Sequence, residues 1–519
     1  MLNHDNILPG YSRQHRRTQP TAAQSIFDHG FPYSHKLSAH VSCVNALTFS
    51  RKDGRFLASG GDDLNIHLWD FHQENVTAPC HSFVGPLRNI FCLKFSCSNR
   101  FLFAGGVDFQ VYQYDISRLG STLTKEENRA VGFFREHDSI REIACHPYQD
   151  ELFLVASDSG RIALHDLRVQ PRSLIGRAQD AIQLETEVTG VQYHPQTEHL
   201  FVTSDGQGNV CLRDTRMAFG ARTERSGNGV VLHYNTKLSK RRLKHLSNPE
   251  SSSVTFGADG NQIAVTMLHY FPTIYGTSDP NPIAICTGRN YPDGTPVPEG
   301  ERTYSNSCTM KHGCFGRPPD NPGISYYCAG SDDFCGYLWQ IPPVEELTVR
   351  REEIASRDWY REDSQVVGFT KDLGSARYLP VELSTPTTVL KGHNSIVNTT
   401  VIHPYLPLIV TAGIERDVRL HSPTKSTPFL HEMEASPTEA RKLLKETDRE
   451  QTRRVVMEHL FRDAEGYDFE RDREEVETIA LFDGILRIEG QGDPFGRRWV
   501  ADTDEDEDEG DGEDEDCND

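Results

Sequence analysis

The chain has 519 residues, a formal net charge of −22 and a hydrophobic content of 36%. This length suits one large domain with appendages, and the modest apolar content means that a packed core coexists with long polar segments. No stretch approaches the ~18 consecutive apolar residues of a transmembrane helix, and the first 20 residues lack the apolar segment of a secretory signal. The composition therefore excludes a helical membrane protein, and we expect a soluble intracellular protein in the nucleus, the cytoplasm or both.

A recurring sequence motif, the repeated phrase of this chain, divides it into repeats. Each copy is a short apolar segment, a turn of Gly, Asp or Ser, and a second apolar segment that usually ends in Asp. The copies occupy residues 57–70, 102–115, 153–166, 201–214, 328–341 and 408–421. Short apolar segments bounded by such turns predict antiparallel strands, and a repeat of about 40–45 residues is typical of propeller blades.

The repeats predict an all-β fold, a seven-bladed β-propeller over residues 32–423. A weaker fifth repeat, near 251–277, completes the count. A four-stranded sheet cannot bury both of its faces alone, but it can do so when it is stacked radially between neighbours. We expect the segment PYSHKL (32–37) to pair with the seventh blade and close the ring.

Appendages and insertions surround the predicted ring. Residues 1–31 form an N-terminal arm, of which residues 11–30 could assist partner docking. Residues 424–490 predict a charged, partly helical extension, and residues 491–519 a disordered acidic tail. Segments rich in charge, Pro and Gly interrupt the later repeats and predict surface loops; they cover residues 218–250, 276–303 and 342–388.

The acidic tail has two interpretations. Residues 502–519 contain 13 acidic and no basic side chains. Repulsion between these negative charges prevents such a segment from folding by itself. It serves either as a solvated tail that maintains solubility or as a binding segment for a basic partner.

No enzyme signature is present in the sequence. It lacks a P-loop, a dinucleotide-binding glycine fingerprint, a nucleophile elbow and an HExxH motif. Repeat six concentrates potential zinc ligands, namely Cys308, His312, Cys314, Cys328 and Cys335. Their spacing matches neither a zinc ribbon nor a zinc finger, so we predict buried thiols, no metal, no cofactor and no catalytic activity, with a zinc-dependent enzyme as the weakest alternative.

A basic segment, KLSKRRLKH, occupies residues 237–245. Its candidate nuclear-import residues are Lys240, Arg241, Arg242 and Lys244. The alternative is a solvated loop. The negative overall charge and the absence of interleaved aromatic residues argue against nucleic-acid binding.

The third and fourth repeats end in Asp, any residue, Arg. Asp166 and Arg168 follow one strand pattern, and Asp214 and Arg216 follow the next. An arginine at a strand exit presents its rigid fork at the rim of the propeller face, where it can form paired hydrogen bonds to a partner. We therefore predict a partner-binding site at these four residues.

The phrase Ala-His … Ser-Gly-x-Asp-Asp … Leu-Trp-Asp resembles the WD-repeat propellers. That resemblance implies a hydrogen-bonded brace across one blade, made by His40, Ser59, Asp63 and Trp69. Blade seven differs from the pattern at Glu415 and His421, and blade six has Ala329 in place of the serine. We expect those two blades to depend more on apolar packing.

The paired Asp-x-Arg boxes resemble the WDxR box of the substrate receptors of cullin-4 RING ubiquitin ligases, although His165 and Arg213 replace the family tryptophan. The resemblance implies that Asp166, Arg168, Asp214 and Arg216 dock the ligase's propeller adaptor. The protein would then recruit a target protein for ubiquitination without performing bond chemistry. The alternative is a general scaffold of a chromatin or RNA-processing complex that uses the acidic tail on basic partners.

Overall fold

A ring of seven sheets forms the body of the protein, and each sheet is one propeller blade of four or five strands. The first strand of each blade packs against the first strand of the next, all the way round the ring. The computed structural model describes residues 22–119, 128–169, 180–221, 225–241, 243–318, 321, 323–360, 366–443, 469–490 and 492–495. The predicted seven-bladed propeller is confirmed.

The first four blades have four strands each, joined in chain order by antiparallel pairing. The strands of blade 1 are Val44–Phe49, Phe56–Gly61, Ile66–Asp70 and His81–Phe83. Those of blade 2 are Ile90–Phe95, Phe101–Gly106, Gln110–Asp115 and Gly132–Arg135. Those of blade 3 are Ile140–Cys145, Leu152–Ser157, Arg161–Asp166 and Ala181–Gln183, and those of blade 4 are Val188–Tyr193, Leu200–Asp205, Val210–Asp214 and Val230–His233.

The last three blades are more elaborate. Blade 5 contains Ser251–Phe256, Gln262–Met267, Thr273–Gly276 and Pro282–Cys286, with Val381–Leu383 added in parallel. Blade 6 contains Cys314–Gly316, Ser325–Gly330, Gly336–Ile341 and Thr388–Leu390. Blade 7 contains Val397–Ile402, Ile409–Gly413, Asp417–Ser422, Tyr33–Ser38 and Glu434–Ala435.

The ring closes through the strand Tyr33–Ser38, which precedes blade 1 in the chain. It pairs antiparallel with Asp417–Ser422 of blade 7 over six residues, from Tyr33 opposite Ser422 to Ser38 opposite Asp417. The predicted closure is therefore confirmed. Closure removes two sheet edges that would otherwise be exposed to pairing with other chains.

A glycine at the end of the second strand fixes the register in several blades. In blade 1, a Cβ on Gly61 would collide with the carbonyl oxygen of Cys43, beside the register shift between Val44 and Ala46. The same collision recurs at Gly106 in blade 2. The paired glycines of the repeated phrase therefore permit a close backbone approach that any side chain would block.

The expectation of surface loops is wrong for two of the three insertions. Residues 218–250 and 342–388 supply a five-stranded side sheet outside the ring. Its strands, in spatial order, are Leu246–Ser247, Lys237–Lys240, Val367–Thr370, Arg377–Leu379 and Glu352–Ile354. The predicted insertion at 276–303 is also wrong at its start, because it contains the fourth strand of blade 5.

Short helices accompany the insertions. The α-helices are Thr215–Ala218, Val344–Arg350 and Ser356–Trp359, and the 3₁₀ turns are Ile116–Arg118 and Gly227–Gly229. Trp359 and Arg377, which begins a strand of the side sheet, are fully buried, and Arg377 Nε donates to Ser239 Oγ of the other insertion at 3.4 Å. Two insertions that are far apart in sequence thus share one small core.

The four brace residues of blade 1 come together inside the sheet. His40 Nδ1 lies 2.9 Å from Asp63 Oδ2, and His40 Nε2 lies 2.8 Å from Ser59 Oγ. Trp69 Nε1 donates to the same hydroxyl at 3.0 Å. Burial is the largest single influence on the Asp63 carboxyl and raises its pKa, but the hydrogen bond and charge of His40 and the backbone N–H groups of Asn65 and Val41 together leave the pKa below its usual range. The relay thus joins three segments of the blade with each polar member partnered.

Blade 7 builds an equivalent relay from different residues. His393 Nδ1 lies 2.7 Å from Glu415 Oε2, and His393 Nε2 lies 2.7 Å from Thr411 Oγ1. His421 Nε2 then takes the place of the tryptophan nitrogen, 2.9 Å from Thr411 Oγ1. The expectation that this blade depends more on apolar packing is wrong, because glutamate and histidine reach the same hydrogen-bonding positions.

Blade 6 does lack the shared hydroxyl. Asp333 accepts a hydrogen bond from Tyr337 Oη at 2.5 Å, and Trp339 Nε1 donates to the backbone oxygen of Thr287 at 2.9 Å. Tyr337 and Trp339 stack with ring centroids 5.5 Å apart. Aromatic packing therefore replaces the relay at this position.

A short helix, Ala22–Asp28, precedes the closing strand and packs on blades 6 and 7. Phe27 stacks on Tyr326 with ring centroids 4.8 Å apart, and Tyr326 Oη donates to Asp28 Oδ1 at 2.9 Å. Tyr326 is the second residue of the strand Ser325–Gly330 of blade 6, and Ile402, which ends the first strand of blade 7, lies in the same apolar cluster. Residues 1–21 of the predicted arm lie outside the described residues.

A longer helix, Phe469–Glu489, lies across the turns of blades 6, 7 and 1. Its Leu486 packs with Cys43, Phe334 and Ile414. Arg441 donates to both carboxylate oxygens of Asp483 at 2.8 and 2.6 Å, and both side chains are buried.

The predicted helical extension therefore docks on the propeller in its described part. The segment 436–443 precedes it without helical structure, and residues 444–468 lie outside the described residues.

The relay in blade 1 makes Ser59→Ala a sharp test of the brace. We expect a loss of about 2–3 kcal/mol in stability, because His40 Nε2 and Trp69 Nε1 would both lose their buried partner. Chemical denaturation would measure the change. Ser38→Ala is the control, since this exposed hydroxyl bonds only Asp417 Oδ1 at the surface. Equal losses for the two variants would contradict the brace.

The docking of the long helix should depend on pH through Glu475. Burial, and then the charge of Glu415, raise the pKa of Glu475 from 4.5 to about 7, although Arg416 Nε lies 3.1 Å away. The folded chain then keeps a proton that the unfolded chain has lost, so stability falls as the pH rises from about 4.5 to about 7.

Glu475→Gln should therefore stabilise the protein at pH 8 by on the order of 2 kcal/mol, with a gain that vanishes toward pH 4.5. Parallel unfolding curves of variant and parent across this range provide the measurement. Glu474→Gln is the matched control, because Glu474 is exposed on the adjacent position. A gain that does not change with pH would exclude Glu475 as the titrating group.

Candidate docking site at the strand ends of blades 1 to 4

The third strand of each of the first four blades ends in an aspartate. The residue that follows each aspartate donates its backbone N–H to the carbonyl just before the second strand of the same blade, at 2.7–2.9 Å. These donor residues are Phe71, Ile116, Leu167 and Thr215. Because strands alternate in direction, the four aspartates emerge at one end of the ring, opposite the end that the long helix covers.

In blade 3, Asp166 holds the arginine two residues along the chain. Its Oδ1 accepts from the backbone N–H of Arg168 at 3.0 Å and from Arg168 Nε at 2.9 Å. Its Oδ2 accepts from Arg168 Nη2 at 2.9 Å. The side chain of Arg168 nevertheless remains 56% exposed. The aspartate therefore orients the guanidinium without removing it from solvent.

Blade 4 repeats this arrangement. Asp214 caps the short helix Thr215–Ala218 by accepting from the backbone N–H of Arg216 at 2.9 Å. Its carboxylate also accepts from Arg216 Nε at 3.1 Å and from Nη2 at 2.7 Å, while the arginine side chain is 68% exposed. The guanidinium groups of Arg168 and Arg216, which we call the two forks, thus have the same local geometry on consecutive blades.

The electrostatics favour an ion pair at each strand end at neutral pH. The hydrogen bond from Arg168 lowers the pKa of the Asp166 carboxyl, and Arg216 does the same for Asp214. Both carboxylates are therefore ionised at neutral pH. A guanidinium whose orientation is already fixed loses less rotamer entropy when a partner binds it.

The residues that replace the family tryptophan are integrated into their blades. His165 stacks on Phe153 with ring centroids 4.9 Å apart, and its Nε2 lies 2.6 Å from Glu136 Oε1. Arg213 donates to Thr203 Oγ1 at 2.9 Å and to the backbone oxygen of Asn228 at 2.8 Å. The strand ends that carry the two forks are therefore supported despite the missing indoles.

The loops between the first and second strands of blades 3 and 4 are tied together beside the forks. Tyr148 Oη donates to the backbone oxygen of Gln196 at 2.9 Å, and the tyrosine remains exposed. An exposed aromatic ring at the same end of the ring as two oriented arginines is the combination that protein interfaces enrich.

Sequence reasoning missed two related ion pairs on the neighbouring blades. In blade 2, Arg118 Nε lies 3.1 Å from Asp115 Oδ2. In blade 1, Arg55 reaches Asp70 from the preceding loop, with Nη2 donating to Oδ2 at 2.7 Å. The pattern that could have predicted the ion pair of blade 2 is Asp-x-x-Arg, one residue longer than the motif of blades 3 and 4.

The five candidate zinc ligands of repeat six do not form a ligand cluster. Cys314 and Cys328 are cross-strand partners in blade 6, and burial raises the pKa of the Cys314 thiol to about 12. Among the described residues, only His40, Asp63 and His67 approach ligand geometry. Both nitrogens of His40 already serve the blade 1 brace.

Of the candidate import residues, Lys240 lies in the side sheet, and Arg241 and Lys244 lie in the connection that follows it. Lys240 ends the strand Lys237–Lys240, whose two edges pair with Leu246–Ser247 and Val367–Thr370. The guanidinium of Arg241 lies 5.0 Å from the ring of Trp359. Lys244 is exposed, and Arg242 lies outside the described residues. The strand's main chain is thus occupied on both sides in the folded protein.

Two further expectations concern regions at the margin of the structure. Of the predicted disordered tail, residues 491–519, the structure describes 492–495, where Phe495 is buried in an apolar cluster, against the disorder predicted there; the remaining residues lie outside the described part of the chain. Within the described part of the chain, no helix is long and apolar enough to cross a membrane.

Comparison with known proteins places these features in context. The family model of the WD domain, G-beta repeat, matches residues 31–70 and 77–115. DDB1- and CUL4-associated factor 5 from Homo sapiens is 29% identical over 479 residues, which are 91% of this chain and 42% of that protein. The Mus musculus protein of the same name is also 29% identical over 479 residues, 91% of this chain and 41% of its own length.

A shorter match joins the chain to Protein ALTERED SEED GERMINATION 2 from Arabidopsis thaliana, which is 31% identical over 139 residues, 26% of this chain and 18% of that protein. The chain spans about two fifths of the length of the two DDB1- and CUL4-associated factor 5 proteins. The ring of blades, the blade 1 relay and these similarities agree: the chain is a WD-repeat propeller protein that is similar to DDB1- and CUL4-associated factor 5 over most of its length.

Proposed function

We propose that this protein is a non-catalytic substrate receptor of a cullin-4 RING ubiquitin ligase, and that it docks the ligase adaptor DDB1 through Arg168 and Arg216. The observation that carries the proposal is the pair of exposed guanidinium groups on consecutive blades, each clamped by a strand-end aspartate. The name of the similar protein, DDB1- and CUL4-associated factor 5, supports this choice of partner.

The chemistry of the two forks suits a protein partner with carboxylate or carbonyl acceptors. A guanidinium has five N–H donors, and each aspartate engages the Nε and Nη2 groups of its arginine. The remaining donors are directed by the same clamp. Arg118 on blade 2 and the exposed ring of Tyr148 extend the proposed docking surface beside the forks.

The receptor role requires a second surface for the target. The opposite end of the ring carries the long helix over blades 6, 7 and 1, and we propose that the target binds the remaining part of that end or the side sheet. Holding the target near the conjugating enzyme raises its effective concentration to about the millimolar range and speeds lysine transfer without a new catalytic group.

The N-terminal arm and the location in the cell remain predictions. The helix Ala22–Asp28 lies against blades 6 and 7, so its described part does not extend the forks of blades 3 and 4 directly. A nuclear location would suit a cullin-4 receptor, and the segment 237–245 would supply the import signal only through its side chains, since its first strand is paired on both edges.

Removal of the two forks tests the docking proposal. Arg168→Ala combined with Arg216→Ala should weaken association with purified DDB1 at least about tenfold, because interface arginines often contribute more than 1 kcal/mol each. Titration by surface plasmon resonance would measure the dissociation constant. Substitution of both by lysine should recover little, since lysine keeps the charge but loses the paired geometry.

The matched control replaces Arg350 and Arg473 by alanine. Both are exposed arginines in carboxylate pairs, with Glu346 and Glu477, at other places on the surface. This variant should bind DDB1 like the parent. Unchanged binding of the Arg168/Arg216 variant would overturn the docking proposal and leave the general WD-repeat scaffold as the function to test.

A further inference from the structure

Exposed apolar side chains are concentrated on blade 2 and on the connection that leads into it. Five large apolar side chains between residues 84 and 133 are more than a third exposed, and we name them the blade 2 patch: Val84, Leu87, Phe109, Val131 and Phe133. Single exposed apolar residues are ordinary on a protein surface, whereas a continuous group of them marks an interaction site.

Contacts within the blade make this patch continuous. Asp108 Oδ2 accepts from the backbone N–H of Leu87 at 2.9 Å and from Tyr112 Oη at 2.7 Å. The ring of Tyr112 meets the ring of Phe133 edge to face, with centroids 5.4 Å apart. Phe109 follows Asp108 in the chain. The connection, the turn and the outer strand therefore meet around Tyr112.

The outer strand of blade 2, Gly132–Arg135, turns one of its faces to solvent. Phe134 packs on Phe153 of blade 3, with ring centroids 5.4 Å apart. Phe133 and Arg135, its neighbours in the strand, are exposed. This alternation is that of a strand whose successive side chains point to opposite faces. The strand is also the outermost of its sheet, so a partner can approach it from the side.

Two arginines flank the turn that carries Phe109. Arg88 follows Leu87 in the connection, and Arg135 precedes Glu136, whose backbone N–H donates to the carbonyl of Phe109 at 2.8 Å. Both arginines are exposed. Positive charge therefore borders the aromatic part of the patch on two sides.

A third arginine, Arg129, lies at the opposite border. It is exposed, it forms a β-bridge with Val84, and it precedes Val131 by two residues. None of the three border arginines forms an ion pair with a carboxylate of the described residues, whereas Arg350 and Arg473, on other parts of the surface, each do. The border charges are thus available to another molecule.

Two carboxylates beside the patch are already engaged within the fold. Asp108 accepts the hydrogen bonds of Leu87 and Tyr112. Glu136 is buried, with its Oε1 2.6 Å from His165 Nε2 and its Oε2 3.7 Å from Arg161 Nε. The patch is therefore locally positive, although the whole chain has a formal net charge of −22.

The turn of the patch lies at the end of the ring that carries the long helix. Phe334 and Ile414 occupy the turns between the second and third strands of blades 6 and 7, and both pack with Leu486 of that helix. Phe109 occupies the corresponding turn of blade 2. This part of the patch is therefore at the opposite end of the ring from the two forks.

We propose that the blade 2 patch binds the target protein through a segment in which acidic side chains flank aliphatic or aromatic ones. This inference rests on the proposed receptor function and specifies the chemistry of the target. Apolar side chains of the segment cover Phe109, Val131 and Phe133, and its carboxylates pair with the border arginines in forked hydrogen bonds. Arginine and large aromatic side chains are frequent in the centres of tight interfaces.

Charge and shape select this occupant over other classes. A basic segment would meet three like charges at the border, which costs affinity. Single-stranded nucleic acid binds through successive aromatic platforms in a basic groove, whereas Val84, Leu87 and Val131 offer aliphatic surface. An acidic segment without apolar side chains would leave the patch in contact with water. The patch therefore requires both kinds of side chain in one segment.

Selection from a phage-displayed library of random peptides tests this chemistry before any target is known. Peptides retained by the immobilised full chain should be enriched several-fold in Asp and Glu together with Leu, Ile and Phe. The enrichment should be lost on the variant Phe133→Ser with Arg135→Glu. Retained peptides of another composition, or equal retention of the same peptides by the variant, would overturn the proposal.

Fluorescence anisotropy of the most enriched peptide measures the size of the effect. The Phe133→Ser, Arg135→Glu variant should bind it at least about tenfold more weakly than the parent. Val349→Ser with Arg317→Glu is the matched control, because both residues are exposed on other parts of the surface. Thermal unfolding checks that both variants are folded. Equal weakening by the two variants would contradict a role of the patch.

Binding of DDB1 separates this inference from the docking proposal. The patch variant should bind DDB1 like the parent, and the Arg168→Ala, Arg216→Ala variant should bind the selected peptide like the parent. Loss of DDB1 binding in the patch variant would assign the patch to the adaptor interface and overturn its role in target binding. Failure of the two forks to bind DDB1 would leave the peptide result intact.

The remaining occupants are tested on the same variants. Oligothymidylate should not compete with the selected peptide, and the parent chain should sediment at the same rate as the Phe133→Ser, Arg135→Glu variant. Competition by oligothymidylate would make the patch a nucleic-acid site. Association of the parent that the variant abolishes would make it an interface between copies of this chain. Either result would overturn the proposal.

Discussion

The antiparallel pairing of Tyr33–Ser38 with Asp417–Ser422 is the constraint on which the rest of the structure depends. A propeller blade buries its faces only against its two neighbours, so an open ring would leave two blades half-exposed and two strand edges unpaired. The six-residue pairing joins the beginning and the end of the ring, and it fixes the angular position of every blade between them. The end of the ring at which each third strand finishes follows from that arrangement.

Strand-end aspartates combine a structural role with presentation of charge. Asp214 caps the helix Thr215–Ala218 and, with the same carboxylate, orients Arg216. Asp166 does the same for Arg168 without a helix. Each carboxylate accepts the backbone N–H of its arginine and is therefore already oriented when it receives the guanidinium. Asp115 and Asp70 likewise form ion pairs with an arginine, although that arginine comes from another position in the blade.

Some of this organisation could be predicted from local patterns. Strand, turn and strand recur at a nearly constant spacing, and the positions of His40, Ser59, Asp63 and Trp69 suggested a relay that the structure brings within hydrogen-bonding distance. The relay of blade 7 was missed because Glu415 and His421 differ in length and chemistry from aspartate and tryptophan. Only their placement in the sheet makes the distances equivalent.

The insertions could not be interpreted locally either. Residues 237–240 and 367–370 are strands because each pairs with the other, across more than 120 intervening positions. The high content of charge, Pro and Gly in the two insertions indicated loops. Composition carries no information about a pairing partner that lies far away in the sequence. The anchoring of Phe495 beside Lys240 is hidden for the same reason, because it depends on a contact between residues far apart in the chain.

The sequence by itself determined the repeat, the number of blades, the closing strand and the two Asp-x-Arg boxes, because each of these is written in short segments whose spacing is local. The tertiary structure decided which residues share a surface. It placed two arginine forks at one end of the ring, the long helix at the other, and Phe495 against a side sheet formed by two separate insertions. Such groupings arise from pairing and packing over long sequence distances, which a one-dimensional pattern cannot express.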